Sequence, residues 1–263
     1  MDLGLSGRTA FVSGSYRGTG AGIAKSLAAE GAHVLVHCCE SGQADDVVSS
    51  IVDAGGSASP IQAELTTDEG VDAIAKELAG VDVLVNNYGT PSRSSWTSME
   101  AWGEEWNRNV LTGARCTQPA IAGMRERGWG RVIFLGTVGS RMPGDRNVGY
   151  YTAKAGLPVL VRTLAQELRG TGVTANLVSP GMIATTEVRD MVTRRAERDG
   201  INVEGDDGWA AAQTWALANS MPNLTERIPE PVDIGRVVAF VASEAAWHIN
   251  GADLPVDGGA LDA

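Results

Sequence analysis

Seven short runs rich in Val, Leu and Ile alternate with longer helical segments along this 263-residue chain, and that alternation restricts the fold more than any other feature. Thr9 to Val12, His33 to His37, Ala58 to Gln62, Val81 to Asn86, Arg131 to Leu135, Thr174 to Val178 and Asp253 to Val256 are the predicted strands. Gly20 to Glu30, Gln43 to Ala54, Asp68 to Leu78, Met99 to Glu126, Val148 to Arg169 and Val232 to Val241 are the predicted helices. Continuous apolar stretches such as Val34-Leu35-Val36 suit strands buried on both faces. Strands and helices in this order build a parallel sheet with helices on both sides. The expectation is a doubly wound α/β fold, one domain over residues 1–263 around a seven-stranded parallel sheet. Thr97, with Glu100 three residues later, resembles a capping box. Pro158 removes the backbone hydrogen bond to the Lys154 carbonyl, so a local kink is expected there.

The net charge of −11 favours solubility and disfavours nucleic acid or an anionic membrane as the main partner. Three cysteines, two of them adjacent at Cys38 and Cys39, give no paired framework and point to a reducing compartment. No CxxC spacing suggests zinc, and no metal is expected. The sequence opens without a basic segment followed by an apolar run, and it contains no stretch of about 18 uninterrupted apolar residues. A cytoplasmic protein is expected.

The first strand runs into Ser13-Gly14-Ser15-Tyr16-Arg17-Gly18-Thr19-Gly20, and a helix starts where the glycines end. With 33 glycines in the chain, such spacing arises by chance about 0.5 times, so its position between strand and helix carries the meaning. Glycines allow a tight turn and close approach of a pyrophosphate, whose charge the free amides and dipole of the helix start attract.

Tyr150-Tyr151-Thr152-Ala153-Lys154 places a phenol and an ammonium four residues apart on one helical face. Only three lysines exist, Lys25, Lys76 and Lys154, so the pairing is more specific than the glycine loop. A free phenol has a pKa near 10 and is a poor base at neutral pH, but a neighbouring cation favours phenolate. Tyr151 lies three residues from Lys154 and is the competitor. Hydroxyls at Thr137 and Ser140 follow the fifth predicted strand, at the sheet end where ligands bind in open α/β folds.

Taken together, these features resemble the short-chain dehydrogenase/reductase family over nearly the whole chain. The loop is similar to that family's TGxxxGIG, with departures at Ser13 and Thr19. Val83-Leu84-Val85-Asn86-Asn87-Tyr88-Gly89 resembles its NNAG motif, with Tyr88 in place of alanine. Asn109, the Pro180-Gly181 turn and Val256-Asp257-Gly258-Gly259 add to the likeness. The resemblance implies a Rossmann fold and an NAD(P)-dependent oxidoreductase that moves a hydride between nicotinamide and a ketone or secondary alcohol. It implies that Tyr150 exchanges the proton and that Lys154 assists it and holds the nicotinamide ribose. Thr137 stands where the family has a serine that orients the substrate oxygen, and is preferred to Ser140. Asn109 matches an asparagine that holds a water near the lysine. Tyr151 is left to packing or substrate contact.

The cofactor contacts implied by the same resemblance are Gly14, Ser15, Arg17, Gly18, Thr19 and Gly20 in the loop, and Cys38 at the end of the second strand. Glu64 and Leu65 fall at the adenine; Asn87, Gly89, Tyr150, Lys154, Pro180 and Gly181 follow; and Ile183 and Thr185 lie at the nicotinamide. Cys38 occupies the place of the NAD-selecting aspartate and cannot make that contact, while Arg17 resembles the basic residue of NADP-using members. Glu40 pulls the other way if it faces inward. NADP(H) is favoured, with NAD(H) as the second candidate.

An insertion at 182–226 carries Trp209 and Trp215. It reads either as a lid over a bulky or apolar ketone or as a surface helical pair packing its own aromatics. Arg125, Arg127 and Arg131 are basic residues that either touch an acidic carrier protein or form a solvated helix end. The alternatives to a small-molecule carbonyl reductase are a 3-oxoacyl-[acyl-carrier-protein]-type reductase, a catalytically silent dinucleotide-binding regulatory protein, and an epimerase or dehydratase. The resemblance further implies a homotetramer, with the helices ending near Glu126 and Arg169 at an interface.

Overall fold

Side chains alternate between two buried faces along each central strand, which is why the strands read as unbroken apolar runs. Ala10 and Val12 pack on one side with Val34, Val36, Val83 and Val85, whereas Phe11 packs on the other with Leu84, Val132 and Phe134. The structure is a computed structural model that describes residues 2–92, 96–145, 147–205 and 207–262. Its strands are β1 (Thr9–Val12), β2 (His33–Cys38), β3 (Ser57–Gln62), β4 (Val83–Asn86), β5 (Gly130–Leu135), β6 (Val173–Pro180) and β7 (Asp253–Val256). They form one sheet in the order β3-β2-β1-β4-β5-β6-β7, every pairing parallel. This is the expected doubly wound fold. The order changes direction between β1 and β4, which opens a crevice at the carboxyl ends of those strands.

The helices are α1 (Gly18–Ala29), α2 (Asp45–Asp53), α3 (Asp68–Asp72), α4 (Ala75–Gly80), α5 (Met99–Trp106), α6 (Thr112–Arg127), α7 (Val148–Ala155), α8 (Leu157–Glu167), α9 (Thr186–Arg198), α10 (Gly208–Asn219) and α11 (Pro231–Ala242). Ile23, Leu27, Ile234 and Val238 bring α1 and α11 onto one face of the sheet. Cys116, Met124, Val161 and Leu164 bring α6 and α8 onto the other.

Three expected helices are divided. Asp68 to Leu78 breaks into α3 and α4. Met99 to Glu126 is interrupted by a π-helical turn, Asn107–Leu111, between α5 and α6. Val148 to Arg169 breaks at Gly156, and Pro158 sits in the first turn of α8. An amide there has no intrahelical acceptor, so the proline costs little, and the expected kink becomes a new helix start. Ser98 rather than Thr97 caps α5, accepting from the Ala101 amide at 3.3 Å.

Candidate active site

The crevice is built by hydrogen bonds that tie the β1–α1 loop to the end of β4. Ser13 Oγ accepts from the amides of Asn87 and Tyr88, each at 2.9 Å. Asn87 Nδ2 donates to the carbonyls of Ser13 at 2.9 Å and Gly14 at 3.3 Å. A Cβ on Gly20 would lie 2.4 Å from the Gly14 carbonyl oxygen, so only glycine lets α1 start this close to the turn. First-turn amides of α1 have no acceptor within the helix. A glycine-rich turn leading into a helix start suits a pyrophosphate, and these residues fit a dinucleotide.

Beneath the loop lies a residue that sequence reasoning missed. His37 is fully buried, accepts from the Gly14 amide at Nδ1 (2.9 Å) and donates from Nε2 to the Ala63 carbonyl (3.1 Å). Burial pushes its imidazole down to about 4, which keeps Nδ1 an acceptor at neutral pH. The Ser15 hydroxyl also faces the scaffold, donating to Val12 and accepting from the His37 amide.

The side chains expected at the adenine divide between core and surface. Cys38 is buried with its thiol toward the Ile61 carbonyl, and Leu65 lies in the core. Glu40 and Glu64 are exposed, and hydrogen bonds from Thr66 hold the Glu64 carboxyl below its usual range. Tyr88 stands edge-on to His37, with ring centroids 6.1 Å apart, and its hydroxyl accepts from Cys39 Sγ at 3.9 Å. Arg17 is exposed at the start of α1, with Nη1 2.6 Å from Glu187 Oε1 of α9. Thr19 and Gly18 are half-buried beside it. Gly181 donates to Val256 at 3.1 Å, Ile183 packs against the core, and Thr185 caps α9.

On α7, Lys154 Nζ lies 6.0 Å from the centre of the Tyr150 ring and donates to the Leu135 carbonyl at 2.8 Å. Burial pulls Lys154 down to about 8, against the opposing charge of Glu105. Burial also pushes the Tyr150 phenol well up. Tyr151 and Glu105 add to that shift, and a hydrogen bond with the Thr137 side chain opposes it. Desolvation is the largest of these influences and favours the protonated phenol. Thr137 Oγ1 also accepts from the Gly139 amide at 3.1 Å. The Ser140 hydroxyl is spent inside that turn, on the Thr137 carbonyl at 2.8 Å, and the Tyr151 ring packs against Gly139.

Asn109 sits in the π-helical turn and is buried. Its Nδ2 donates to the Glu105 carbonyl at 3.0 Å and to Glu105 Oε2 at 2.9 Å. Its Oδ1 is buried without a hydrogen-bond partner and faces Gly89, whose φ is +136° and where a Cβ would lie 2.4 Å from that oxygen. Glu105, also missed by sequence reasoning, is fully buried. Its place four residues before Asn109 was the available signal. Tyr150, Lys154, Thr137 and Asn109 are thus gathered around one end of β5.

Two other expectations divide differently. Arg125 pairs with Glu167 at 2.8 Å, Arg127 donates to the carbonyls of Ala79 and Val81, and Arg131 is 2% exposed beside Trp129 and Glu244. The three arginines are separately engaged and form no shared patch. In the insertion, α9 and α10 enclose a small core of Val192, Ala196, Ala212 and Ala216. Trp209 stacks on Arg189 at 4.3 Å and Trp215 Nε1 donates to Asp199 at 3.0 Å, as a helical pair packing its own aromatics does.

The family model of the short chain dehydrogenases matches residues 8–196. D-beta-hydroxybutyrate dehydrogenase of Cupriavidus necator is 31% identical over 265 residues, covering 97% of this chain and 98% of that protein. A 3-oxoacyl-[acyl-carrier-protein] reductase of Synechocystis sp. is 33% identical over 265 residues, covering 97% of each. L-sorbose reductase from Gluconobacter frateurii, solved with NADPH and L-sorbose, has a TM-score of 0.89 at 28% identity, covering 100% of both chains. A 3-oxoacyl-(acyl-carrier-protein) reductase from Agrobacterium tumefaciens, solved with NADP bound, has a TM-score of 0.83 at 29% identity, covering 98% of this chain and 96% of that one. Matched over most of its length in pattern, sequence and strand order, the chain belongs to the short-chain dehydrogenase family of NAD(P)-dependent oxidoreductases.

Proposed function

We propose that this protein reduces a ketone to a secondary alcohol with NADPH, using Tyr150 as the general acid. The observation that carries the reading is the grouping of the Tyr150 phenol with Thr137 and Lys154 beyond the carboxyl end of β5, at the sheet end that the glycine cradle shares. A bound nicotinamide supplies the hydride. Thr137 orients the carbonyl oxygen, and Tyr150 gives that oxygen its proton as the carbon is reduced. Lys154 then faces the phenolate left behind and holds the nicotinamide ribose. The unpartnered Asn109 Oδ1 offers an acceptor for a water beside this group. In reverse, the same residues oxidise the alcohol.

NADP(H) is favoured because Cys38 turns into the core and leaves no carboxylate for a ribose hydroxyl, while Arg17 offers an exposed guanidinium at the loop. NAD(H) remains the second candidate. The remaining cofactor contacts are those inferred for Gly14, Gly18, Thr19, Gly20, Asn87, Gly89, Pro180, Gly181, Ile183 and Thr185, with Ser15, Glu64 and Leu65 serving through the backbone or as walls. A bulky or apolar ketone is favoured by Met142 and Met182, exposed side chains that follow the carboxyl ends of β5 and β6. The insertion at 182–226 is read as a helical pair on the same single domain, its tryptophans engaged by Arg189 and Asp199. Relatives named as acyl-carrier reductases favour that substrate type as the second reading, but the engaged arginines give it no docking patch. A homotetramer meeting through the α6 and α8 faces is supported by Val159, 70% exposed on α8. Three free cysteines suit a cytoplasmic location, and among the described residues no helix is long and apolar enough to cross a membrane.

The test is Tyr150→Phe, assayed for NADPH oxidation across a ketone panel and for NADPH binding by fluorescence. Loss of turnover by roughly 1,000-fold with binding intact is expected. A variant that keeps the full rate overturns the assignment.

A further inference from the structure

Burying a carboxyl group is costly unless its oxygens are matched by donors or cations, and an apolar side chain of similar size fills the same space at lower cost. Glu105, in the last turn of α5, has no exposed surface. Its Oε1 accepts from the Ser92 hydroxyl in the segment after β4 and lies 3.6 Å from Arg108 Nη1. Its Oε2 accepts from Asn109 Nδ2 at 2.9 Å. Helix α5 packs against α7, and the charge of Glu105 acts there on both Lys154 and Tyr150. The groups facing it are therefore Arg108 and Asn109 from the following turn, Ser92 from the β4 side, and Tyr150 and Lys154 from α7.

We propose that Glu105 is a positioning residue of this site, orienting the Asn109 amide and setting the charge that Lys154 and Tyr150 experience from inside the protein. The inference rests on Tyr150 and Lys154 being the proton-transfer pair. At Asn109 the effect is geometric. Glu105 engages Nδ2 through both its backbone carbonyl and its carboxylate, so Oδ1 is turned toward Gly89 and left open. At α7 the effect is electrostatic. A negative charge opposes proton loss from the lysine that burial has pulled down to about 8, and from the phenol that must donate in reduction. Removing that charge releases both protons at lower pH, and the two changes act in the same direction.

The experiment is the pH profile of kcat/KM for NADPH-dependent ketone reduction in the parent, Glu105→Gln, Glu105→Leu and Glu105→Asp. The two neutral variants are expected to move the alkaline limb to lower pH by about one unit, while the aspartate variant keeps it near the parent position. NADPH affinity, read by fluorescence, should stay within about 2-fold of the parent, because this carboxyl faces the proton-transfer group and not the glycine cradle. Neutral variants whose alkaline limb superimposes on the parent overturn the proposal. So does failure of both neutral variants to fold, which makes Glu105 a stability residue. Tyr150→Phe run alongside separates the two levels: if it keeps full rate the reading of the site fails, whereas if it is inactive and the neutral variants keep the parent profile, only the role of Glu105 fails.

Discussion

Lys154 Nζ donates to the Leu135 carbonyl at 2.8 Å, which fixes the ammonium to the last residue of β5, two residues before Thr137. The bond satisfies one of three ammonium protons in a fully buried setting, and burial holds the group down to about 8. A buried lysine that releases its proton more readily folded than unfolded works against stability wherever both states are charged. Lys154→Met should therefore stabilise the fold at pH 7 by on the order of 1–3 kcal/mol while removing turnover. The sign sets the pH window. The advantage is complete below about 8, where the folded parent carries the charge, and it fades as pH rises toward the ordinary lysine value of about 10.4. Urea titrations at pH 7 and pH 10 check it, and an equal gap at both would remove the desolvation argument.

Thr137 serves two partners, the Gly139 amide and the Tyr150 phenol. Thr137→Ser keeps the hydroxyl and should stay active. Thr137→Ala loses the cap of the short turn after β5 and, on the proposed mechanism, the donor to the substrate oxygen, so kcat should fall by roughly 100-fold. Steady-state kinetics on one ketone decide the matter. Activity retained in the alanine variant would transfer the role to another group, although the Ser140 hydroxyl is already committed to the Thr137 carbonyl.

The strands were legible because two-sided burial writes itself into a run such as Val83-Leu84-Val85, and the tyrosine–lysine spacing was legible because helical geometry is local. The helix breaks were less so. Pro158 marked one of them, but the π-helical turn that carries Asn109 has no proline or glycine to announce it. Glu105 and His37 were missed for a different reason. A glutamate amid Glu104, Asn107 and Arg108 reads as a solvated face, and only the meeting of α5 with α7 and the segment after β4 buries it. His37 is the next-to-last residue of the apolar strand β2, and its value comes from a glycine 23 residues away in sequence. Likewise, Arg125, Arg127 and Arg131 look like one basic cluster until three separate partners draw them apart.

Gly20 is the glycine with least latitude in the cradle. An added Cβ would meet the Gly14 carbonyl at 2.4 Å, Asn87 Nδ2 at 2.6 Å and Ser15 Cα at 2.8 Å, mostly backbone that cannot yield without moving the loop. Gly20→Ala should cost about 1–3 kcal/mol and weaken NADPH binding by at least ~10-fold. Gly103→Ala is the matched control. It lies within α5 with nothing within 4 Å of the new methyl group, and helix propensity there should add about 0.5–1 kcal/mol. Thermal melts and fluorescence titrations of both variants test the contrast, and a Gly20→Ala protein with unchanged cofactor affinity would remove the cradle from the binding site.

Arg17 reaches Glu187 across the gap between the glycine loop and α9, at 2.6 Å but with both side chains more than half exposed. A pair this wet is worth about 0–1 kcal/mol, so a 2′-phosphate competing for the guanidinium displaces the carboxylate at little cost. Arg17→Ala should therefore weaken NADPH by about 10- to 100-fold, the loss of charge-assisted bonds, and leave NADH nearly unchanged. Glu187→Gln removes the competitor and should tighten NADPH by about 2- to 5-fold, again without moving NADH, and the gain should shrink in high salt. Paired titrations with both cofactors at two ionic strengths make the distinction. Equal changes for NADPH and NADH in either variant would mean that Arg17 serves only to hold α9 against the loop, and the preference for NADP(H) would lose its main support.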